Sequence, residues 1–267
     1  MEQRVFGNTG ITVPVVGMGT WQTFDVRGAL VEERRLVTDA AFETGAAFFD
    51  SSPMYGEAER VMGSTLEGRR DRAIVATKVW TADEGEAAKQ LARALEYFGG
   101  NVDVYQVHNL VAWRKRLDQL ERLKAEGTVR AIGLSHYSAT AFDELRRAME
   151  DRRVGAIQIP YNPHQRDVEA SILPAAADLG LGVIVMRPFG EGSLLRKTIP
   201  ASALTPLASF GITSWPQALL KWILSDPRCH VAIPATSRVD HLRGNAAAGT
   251  PPWLGPEERA YIGKLAR

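Results

Sequence analysis

The chain has 267 residues, of which 45% are hydrophobic and 24% are charged, a composition that allows one large buried core. Its 32 basic and 31 acidic side chains leave a formal net charge of +1, so no overall field attracts nucleic acid or an anionic membrane surface. The single cysteine excludes an internal disulfide, and the lack of a leader-like start or of any apolar run of about 20 residues predicts a cytoplasmic location.

Apolar runs alternate with helical patterns along the whole chain, which is typical of βα repeats and not of a β-sandwich. A short hairpin around residues 8–10 comes first and is predicted to close the floor of a barrel. The eight strands predicted after it lie at residues 15–18, 48–50, 74–78, 102–108, 131–134, 156–159, 182–186 and 231–233.

The predicted helices lie at residues 32–44, 58–67, 84–98, 114–126, 139–150, 168–178, 215–225 and 239–245, with a terminal helix at 256–265. Barrels of alternating strands and helices commonly use about 250 residues as one unit. We therefore predict the α/β class: a (β/α)8 TIM barrel with a short N-terminal hairpin closing its floor and a C-terminal helix, forming a single domain over residues 1–267.

Four polar side chains stand at or just after the ends of predicted strands: Asp50, Tyr55, Lys78 and His108. The carboxyl ends of barrel strands open onto one rim, so we expect these side chains to converge there. Taken alone, each has a structural alternative. Asp50 could cap a turn and Tyr55 could be an ordinary turn residue. Lys78 could be a charge where the chain exits to solvent, and His108 could be a satisfied hydrogen-bonding group. Their common position on one rim favours a catalytic role.

These side-chain types suit the reduction of a carbonyl group, which needs a hydride at carbon and a proton at oxygen. Tyrosine is a weak acid, but an ammonium about 4 Å away favours the phenolate by about 4 kcal/mol, or about three pK units before desolvation. We expect Lys78 to lower the pKa of Tyr55 in this way. Asp50 would keep Lys78 charged, and His108 would donate a hydrogen bond that orients the substrate oxygen.

Several short stretches resemble the aldo-keto reductase family and occur in that family's order. Residues 49–59 resemble its first signature, residues 76–80 carry the lysine and residues 103–108 carry the histidine. Further matches lie at residues 17–21, 132–135, 157–158 and 233–237, continuing to Asn245. The resemblance implies an NAD(P)H-dependent oxidoreductase that reduces aldehydes or ketones to alcohols by direct hydride transfer, without a metal, with Tyr55 as general acid.

The same resemblance implies where the cofactor binds. It assigns the nicotinamide carboxamide to Ser135 and Gln158, with His136 where the family normally has asparagine, and it sets Met186 against the nicotinamide ring. The glycine-rich loop at residues 190–194 stands where pyrophosphate would lie, although a generic flexible loop is the alternative. The implied cofactor contacts are Thr20, Ser135, His136, Gln158, Met186, Arg187, Pro188, Gly190, Gly192, Ser193, Leu194, Thr236, Ser237, Arg238 and Asn245.

Preference for a 2′-phosphate depends on the residues before the last barrel helix. Two hydroxyl side chains and Arg238 stand there, and Arg238 is the main phosphate candidate. Many relatives have lysine and arginine where this chain has Ala235 and His241. Arg243 either compensates for them or is a solvated surface charge. On balance the resemblance favours NADP (NADPH) over NAD.

For the substrate, the resemblance points to an apolar pocket with Trp21, Met54 and Trp80 as its walls and Trp113 as a weaker candidate, with packing at the barrel rim as the alternative. We expect a small-molecule carbonyl substrate and neither a nucleic acid nor a membrane partner, and the oligomeric state is left open, a monomer being compatible. Two other functions remain open. They are a Schiff-base lyase or aldolase that uses Lys78 and a nucleotide-sensing regulatory subunit.

Overall fold

The computed structural model describes residues 1–267, and its centre is a closed barrel of eight parallel strands. The eight strands pair in chain order, and bridges from Val16 to Ala232 and from Gly19 to Ala235 join the last strand to the first. A separate antiparallel pair of strands precedes the barrel. The strands are β1 (Gln3–Val5), β2 (Thr12–Pro14), β3 (Met18–Gly19), β4 (Phe48–Asp50), β5 (Ile74–Val79), β6 (Val102–His108), β7 (Val129–Ser135), β8 (Val154–Pro160), β9 (Gly182–Met186) and β10 (Val231–Ala232).

Helices cover the outside of the barrel, and the predicted (β/α)8 TIM barrel is confirmed. A short segment, α7, lies in the long connection after β9 and was not predicted, and two predicted helices begin three or four residues late behind 3-10 turns. The helices are α1 (Leu30–Thr44), α2 (Ala58–Leu66), α3 (Glu84–Tyr97), α4 (Trp113–Ala125), α5 (Phe142–Ala148), α6 (Ile172–Asp178), α7 (Ala201–Leu204), α8 (Trp215–Leu224), α9 (Val239–Ala247) and α10 (Pro256–Ala266).

The sequence explains the helical boundaries locally. Helix α3 begins where the side chain of Asp83 accepts a hydrogen bond from the backbone N–H of Glu86, which satisfies one of the free donors of the first turn. Helix α1 ends at Gly45, whose φ of 77° is accessible to glycine at little cost. The apolar faces of these helices pack on the outer face of the sheet in one continuous cluster of buried side chains. No helix in the protein is both long and apolar enough to cross a membrane.

The N-terminal hairpin closes the lower end of the barrel. Side chains of Phe6, Ile11 and Val13 are completely or almost completely buried and pack against the lowest inward-facing layer of the barrel, including Phe48. The hairpin is also tied to the last third of the chain. The N–H of Glu2 donates to the carbonyl of Gly249, and Trp253 Nε1 donates to the Glu2 carboxylate. The Arg4 guanidinium donates to the carbonyls of Leu224 and Cys229.

A second layer of inward-facing side chains lies directly above the floor, and most of its members are polar. Side chains two residues apart on a strand point to the same face of the sheet. Each inward-facing residue of the lowest layer is therefore followed, two positions later in the chain, by another residue that faces into the barrel. The lowest layer is almost entirely apolar, with Ala76, Val104 and Ala156 among its members. The residues two positions later form the base of the site: Asp50, Lys78, Gln106, Gly133, Gln158 and Met186.

Candidate active site

A cavity of about 550 Å³ opens at the carboxyl ends of the strands. Its size lies within the range of small-molecule sites, about 300–1,000 Å³. The four side chains that the sequence singled out meet at it, with Asp50, Tyr55 and His108 in its wall and Lys78 directly behind them. Other lining residues include Thr20, Trp21, Met54, Tyr137, Gln158, Met186, Arg187, Pro188, Glu191, Gly192, Leu195 and Ala235.

Asp50 and Lys78 form a fully buried ion pair. Lys78 Nζ donates to both carboxylate oxygens of Asp50, at 2.9 and 2.7 Å, and to the carbonyl of Ser51 at 2.7 Å. Burial raises the pKa of Asp50 against the lowering effect of Lys78. Burial alone would lower the pKa of Lys78, but the Asp50 carboxylate and the neighbouring Tyr55 raise it above its ordinary value. The Asp50 carboxylate and the three hydrogen bonds therefore favour the charged form of Lys78.

Tyr55 stands beside this pair at the end of the loop after β4. Lys78 Nζ lies 5.2 Å from the centre of the Tyr55 ring. The ammonium donates three hydrogen bonds to Asp50 and Ser51, and its charge has a larger effect on the pKa of Tyr55 than its hydrogen bonding does. Burial raises the pKa of Tyr55, and the charge of Lys78 lowers it by less. Lys78 therefore lowers the pKa of Tyr55 in the expected direction, but desolvation of the phenolate is the larger effect and the net pKa lies above the ordinary value.

His108 is held neutral opposite Tyr55. Their ring centres lie 5.9 Å apart in an edge-to-face arrangement. Burial, with smaller contributions from Lys78 and His136, lowers the pKa of His108 to about 2. Ser52 Oγ lies 2.9 Å from His108 Nδ1 and already accepts a weak bond from a backbone N–H, so its own proton is available to Nδ1. This contact favours the tautomer with the proton on Nε2.

Three residues of the site were not assigned a role from the sequence. Ser52 Oγ lies within hydrogen-bond distance of His108 Nδ1, and Gln106 bonds to Asp50 in the barrel centre. Glu59, in the first turn of α2, is buried and accepts a hydrogen bond from Thr77 Oγ1, next to Lys78 in the chain. Burial raises the pKa of Glu59 to about 7. All three lie within stretches that resemble the family motifs, but their type alone gave no signal of a role.

The proposed nicotinamide contacts lie on neighbouring strand ends. Gln158 and Ser135 are both buried, and their backbones are paired across β7 and β8. His136 follows directly and is half buried. Its Nδ1 accepts from the N–H of Ser138 and its ring stacks on Tyr137 at 5.4 Å, so one ring nitrogen is already used.

The loop after β9 forms one wall of the cavity. Met186 and Arg187 line it, and Arg187 forms an ion pair of 2.7 Å with Glu191 while its guanidinium lies over the ring of Tyr137. Arg187 and Glu191 both have positive φ, at 53° and 55°, a conformation uncommon for residues other than glycine. The predicted contacts Gly190, Ser193 and Leu194 do not line the cavity: Ser193 Oγ donates to the Gly190 carbonyl, and Leu194 is buried.

The proposed adenosine end lies at the start of α9. Thr236 is buried, Ser237 is exposed, and Thr236 Oγ1 accepts from the N–H of Arg238. Arg238 binds the carboxylate of Asp240 through Nε and Nη2, at 3.1 and 2.7 Å. Arg243 pairs with Glu43 at 2.7 Å, so it acts as a surface ion pair in this structure. The predicted adenine contact Asn245 is buried within α9.

Two of the four predicted substrate contacts line the cavity, and a third lies close to one of its lining residues. Trp21 and Met54 line it, and the Trp80 ring lies 6.4 Å from that of His108. All three are partly exposed, which suits side chains that cover a bound molecule. Trp113 is different. It begins α4, is buried, and donates from Nε1 to Glu144, so the structure does not bring it to the cavity, contrary to the prediction.

Comparison with known proteins decides the family. A model of the Aldo/keto reductase family matches residues 15–266. The chain belongs to the aldo/keto reductase family. This aldo/keto reductase is 27% identical over 256 residues to methylglyoxal reductase YeaE of Escherichia coli (strain K12), covering 92% of this chain and 89% of that protein. It is 29% identical over 277 residues to aldo-keto reductase str7 of Strobilurus tenacellus, covering 88% and 81%.

Solved structures of the family have the same fold. An aldo/keto reductase from Klebsiella pneumoniae, crystallised in complex with NADP and acetate, superposes with a TM-score of 0.83 at 25% identity, covering 99% of this chain and 95% of that one. The holo form of aldo-keto reductase AKR11C1 from Bacillus halodurans gives a TM-score of 0.82 at 23% identity, over 100% and 97%. The barrel of this aldo/keto reductase is therefore the barrel of its family, and the chain is a member of a family of oxidoreductases.

Proposed function

We propose that this aldo/keto reductase reduces aldehydes or ketones to alcohols, reversibly, with NADP(H) as hydride source and Tyr55 as general acid. The observation that carries the proposal is the buried Asp50–Lys78 ion pair next to Tyr55 and a neutral His108, at the wall of one cavity. A carbonyl oxygen placed between the phenol and the imidazole would meet a proton donor and a hydrogen-bond donor at once.

The chain's own residues account for the proton chemistry. Because burial raises the pKa of Tyr55, the phenol keeps its proton until negative charge develops on the substrate oxygen. The ammonium of Lys78 then stabilises the phenolate that remains, and Asp50 keeps that ammonium charged. The proton on His108 Nε2 would orient the oxygen, with Ser52 holding the ring in that tautomer.

The donor set fits a nicotinamide cofactor. When bound, the cofactor supplies the hydride. Gln158 offers an amide and Ser135 a hydroxyl at adjacent strand ends, and His136 offers one ring nitrogen. The carboxamide group that such residues would hold has both donors and acceptors, which a primary amide side chain matches. The family relative from Klebsiella pneumoniae was solved with NADP, which supports the same class of cofactor here.

Preference for NADP(H) rests on the start of α9. Arg238 uses Nε and Nη2 for Asp240, which leaves Nη1 for a 2′-phosphate, and Thr236 and Ser237 add hydroxyls. The pair is largely exposed, so a phosphate can compete with the carboxylate for the guanidinium. We propose NADP(H) as the preferred cofactor, with Asp240 weakening the preference.

The Schiff-base alternative is not favoured by the geometry. An amine must lose its proton before it attacks a carbonyl, whereas Lys78 is held charged by three hydrogen bonds and its pKa is raised. A regulatory subunit that only senses nucleotide would bind the cofactor without turnover. The test below distinguishes it from the enzyme.

The test is the Tyr55→Phe variant, with loss of NADPH absorbance measured over a panel of aldehydes and ketones. We expect the wild type to turn over and the variant to lose at least about a hundredfold in kcat, because the general acid is missing. NADPH affinity, measured by fluorescence titration, should change little, which shows that the variant is folded. Turnover of the variant close to that of the wild type would contradict the role of Tyr55, and NADPH binding by a wild type without any turnover would favour the regulatory subunit.

A further inference from the structure

Beneath the four catalytic candidates lies a buried triangle of hydrogen bonds centred on Gln106. This side chain points into the barrel from β6 and is fully buried. Its Nε2 donates to Asp50 Oδ1 at 3.3 Å and to Gln158 Oε1 at 2.9 Å. Gln158 Nε2 in turn donates to Asp50 Oδ2 at 3.4 Å. The acid that holds Lys78 and the amide proposed to hold the cofactor are thus joined through one residue.

The orientation of the Gln106 amide follows from the chemistry of Asp50. An ionised carboxylate only accepts hydrogen bonds, so the NH₂ group of Gln106 must face it. As a result Gln106 Oε1 is buried without a hydrogen-bond partner, one of only two such buried side-chain atoms in the protein. A buried acceptor without a partner destabilises the fold, and such exceptions call for an explanation.

The barrel also leaves room for this side chain. Gly133 faces Gln106 across β6 and β7, and a Cβ at Gly133 would lie 2.8 Å from Gln106 Cγ and 3.3 Å from the carbonyl oxygen of Ala156. The φ of Gly133 is not positive, so its backbone does not require glycine. The missing side chain at this position is explained by the space that Gln106 occupies.

We propose that Gln106 is a positioning residue that couples Gln158, and through it the bound cofactor, to the Asp50–Lys78 pair. The inference rests on the proposed function. Each polar atom of the Gln158 amide makes one bond inside the triangle, which fixes its plane and leaves one N–H and one oxygen lone pair for a ligand. The amide is then oriented before the nicotinamide carboxamide arrives, which reduces the entropy lost on binding.

The experiment is a double-mutant cycle on the full chain with Gln106→Leu and Gln158→Ala, measuring the Kd of NADPH by fluorescence titration and thermal unfolding of each variant. Leucine is apolar and fills much of the same space. We expect Gln106→Leu to raise the Kd about tenfold, which corresponds to the net effect of one hydrogen bond. In the Gln158→Ala background the same substitution should leave the Kd almost unchanged, because both act through one amide.

Additive effects of the two substitutions on Kd, or a Kd in Gln106→Leu equal to that of the wild type, would overturn the coupling while leaving the proposed function intact. Failure of the wild type to bind either NADPH or NADH would overturn both. If Gln106→Leu does not fold, Gly133→Ala replaces it in the cycle, since its Cβ displaces Gln106 without removing a polar group. Its Kd should rise in the wild-type background and not in Gln158→Ala, and any other pattern contradicts the proposal.

Discussion

Replacing Lys78 by methionine removes the positive charge beside the proposed proton donor while keeping most of the side-chain length. Lys78 Nζ lies 5.2 Å from the centre of the Tyr55 ring. At an effective dielectric near 20, a unit charge at about that distance favours the phenolate by about 3 kcal/mol. A loss of about 3 kcal/mol in the transition state corresponds to a rate about 200-fold lower. We therefore expect Lys78→Met to lower kcat by about two orders of magnitude.

The assay is NADPH consumption under saturating cofactor with the best aldehyde of the substrate panel. Lys78→Met also leaves the buried Asp50 carboxylate without its cation, which should destabilise the fold by about 3–5 kcal/mol. The matched control is the double variant Asp50→Asn, Lys78→Met, in which neither charge remains and stability should recover. A folded Lys78→Met variant with the kcat of the wild type would refute the electrostatic role assigned to Lys78.

Three further predictions concern the residues around this centre. Ser52→Ala should lower kcat about tenfold, because His108 loses the partner that sets its tautomer, with NADPH affinity unchanged. The folded-state pKa of Glu59, about 7, lies above its ordinary value of 4.5, so the folded protein holds this proton longer and its stability declines as the pH rises through 4.5 to 7. Glu59→Gln should abolish that part of the decline, as measured by urea unfolding at several pH values. Asp240→Asn should raise affinity for NADPH about two- to fivefold and leave that for NADH unchanged, because it releases Arg238.

Each of these has an outcome that contradicts it. Unchanged kcat in Ser52→Ala would mean that another group sets the tautomer. For Glu59, a variant whose stability falls with pH as steeply as that of the wild type would place the titration elsewhere. For Asp240, equal gains in NADPH and NADH affinity would point to a general change of surface charge and not to contact with a 2′-phosphate.

The barrel and the common rim of Asp50, Tyr55, Lys78 and His108 could be predicted because both depend on simple periodicities, whereas the cofactor and substrate contacts came from the family resemblance. Strand ends could be located from apolar runs, and the carboxyl ends of parallel strands lie on one rim of the barrel irrespective of the loop sequences. The same reasoning could have found Gln106, a polar residue of inward parity between Val104 and His108. Such a residue must have a partner inside the barrel.

Other features depend on geometry that no local pattern contains. Trp113 follows His108 closely in the chain, but Asn109, Leu110 and Ala112 have positive φ and turn the chain so that the indole faces α5. The net pKa shift of Tyr55 also could not be predicted. The effect of Lys78 follows from charge and distance alone, whereas the opposing desolvation depends on how completely the surrounding loops cover the ring.

The ties between the N-terminal hairpin and the last third of the chain constrain the order in which the molecule can be assembled on the ribosome. The hairpin emerges more than 200 residues before its partners, because the carbonyls that bind Arg4 and Glu2 belong to residues 224–249. Translation adds about 5–20 residues per second, and domains fold as units. Phe6 and its neighbours therefore remain without their final partners for some ten seconds or more. During that interval the apolar side chains of the hairpin are exposed to solvent and to chaperones.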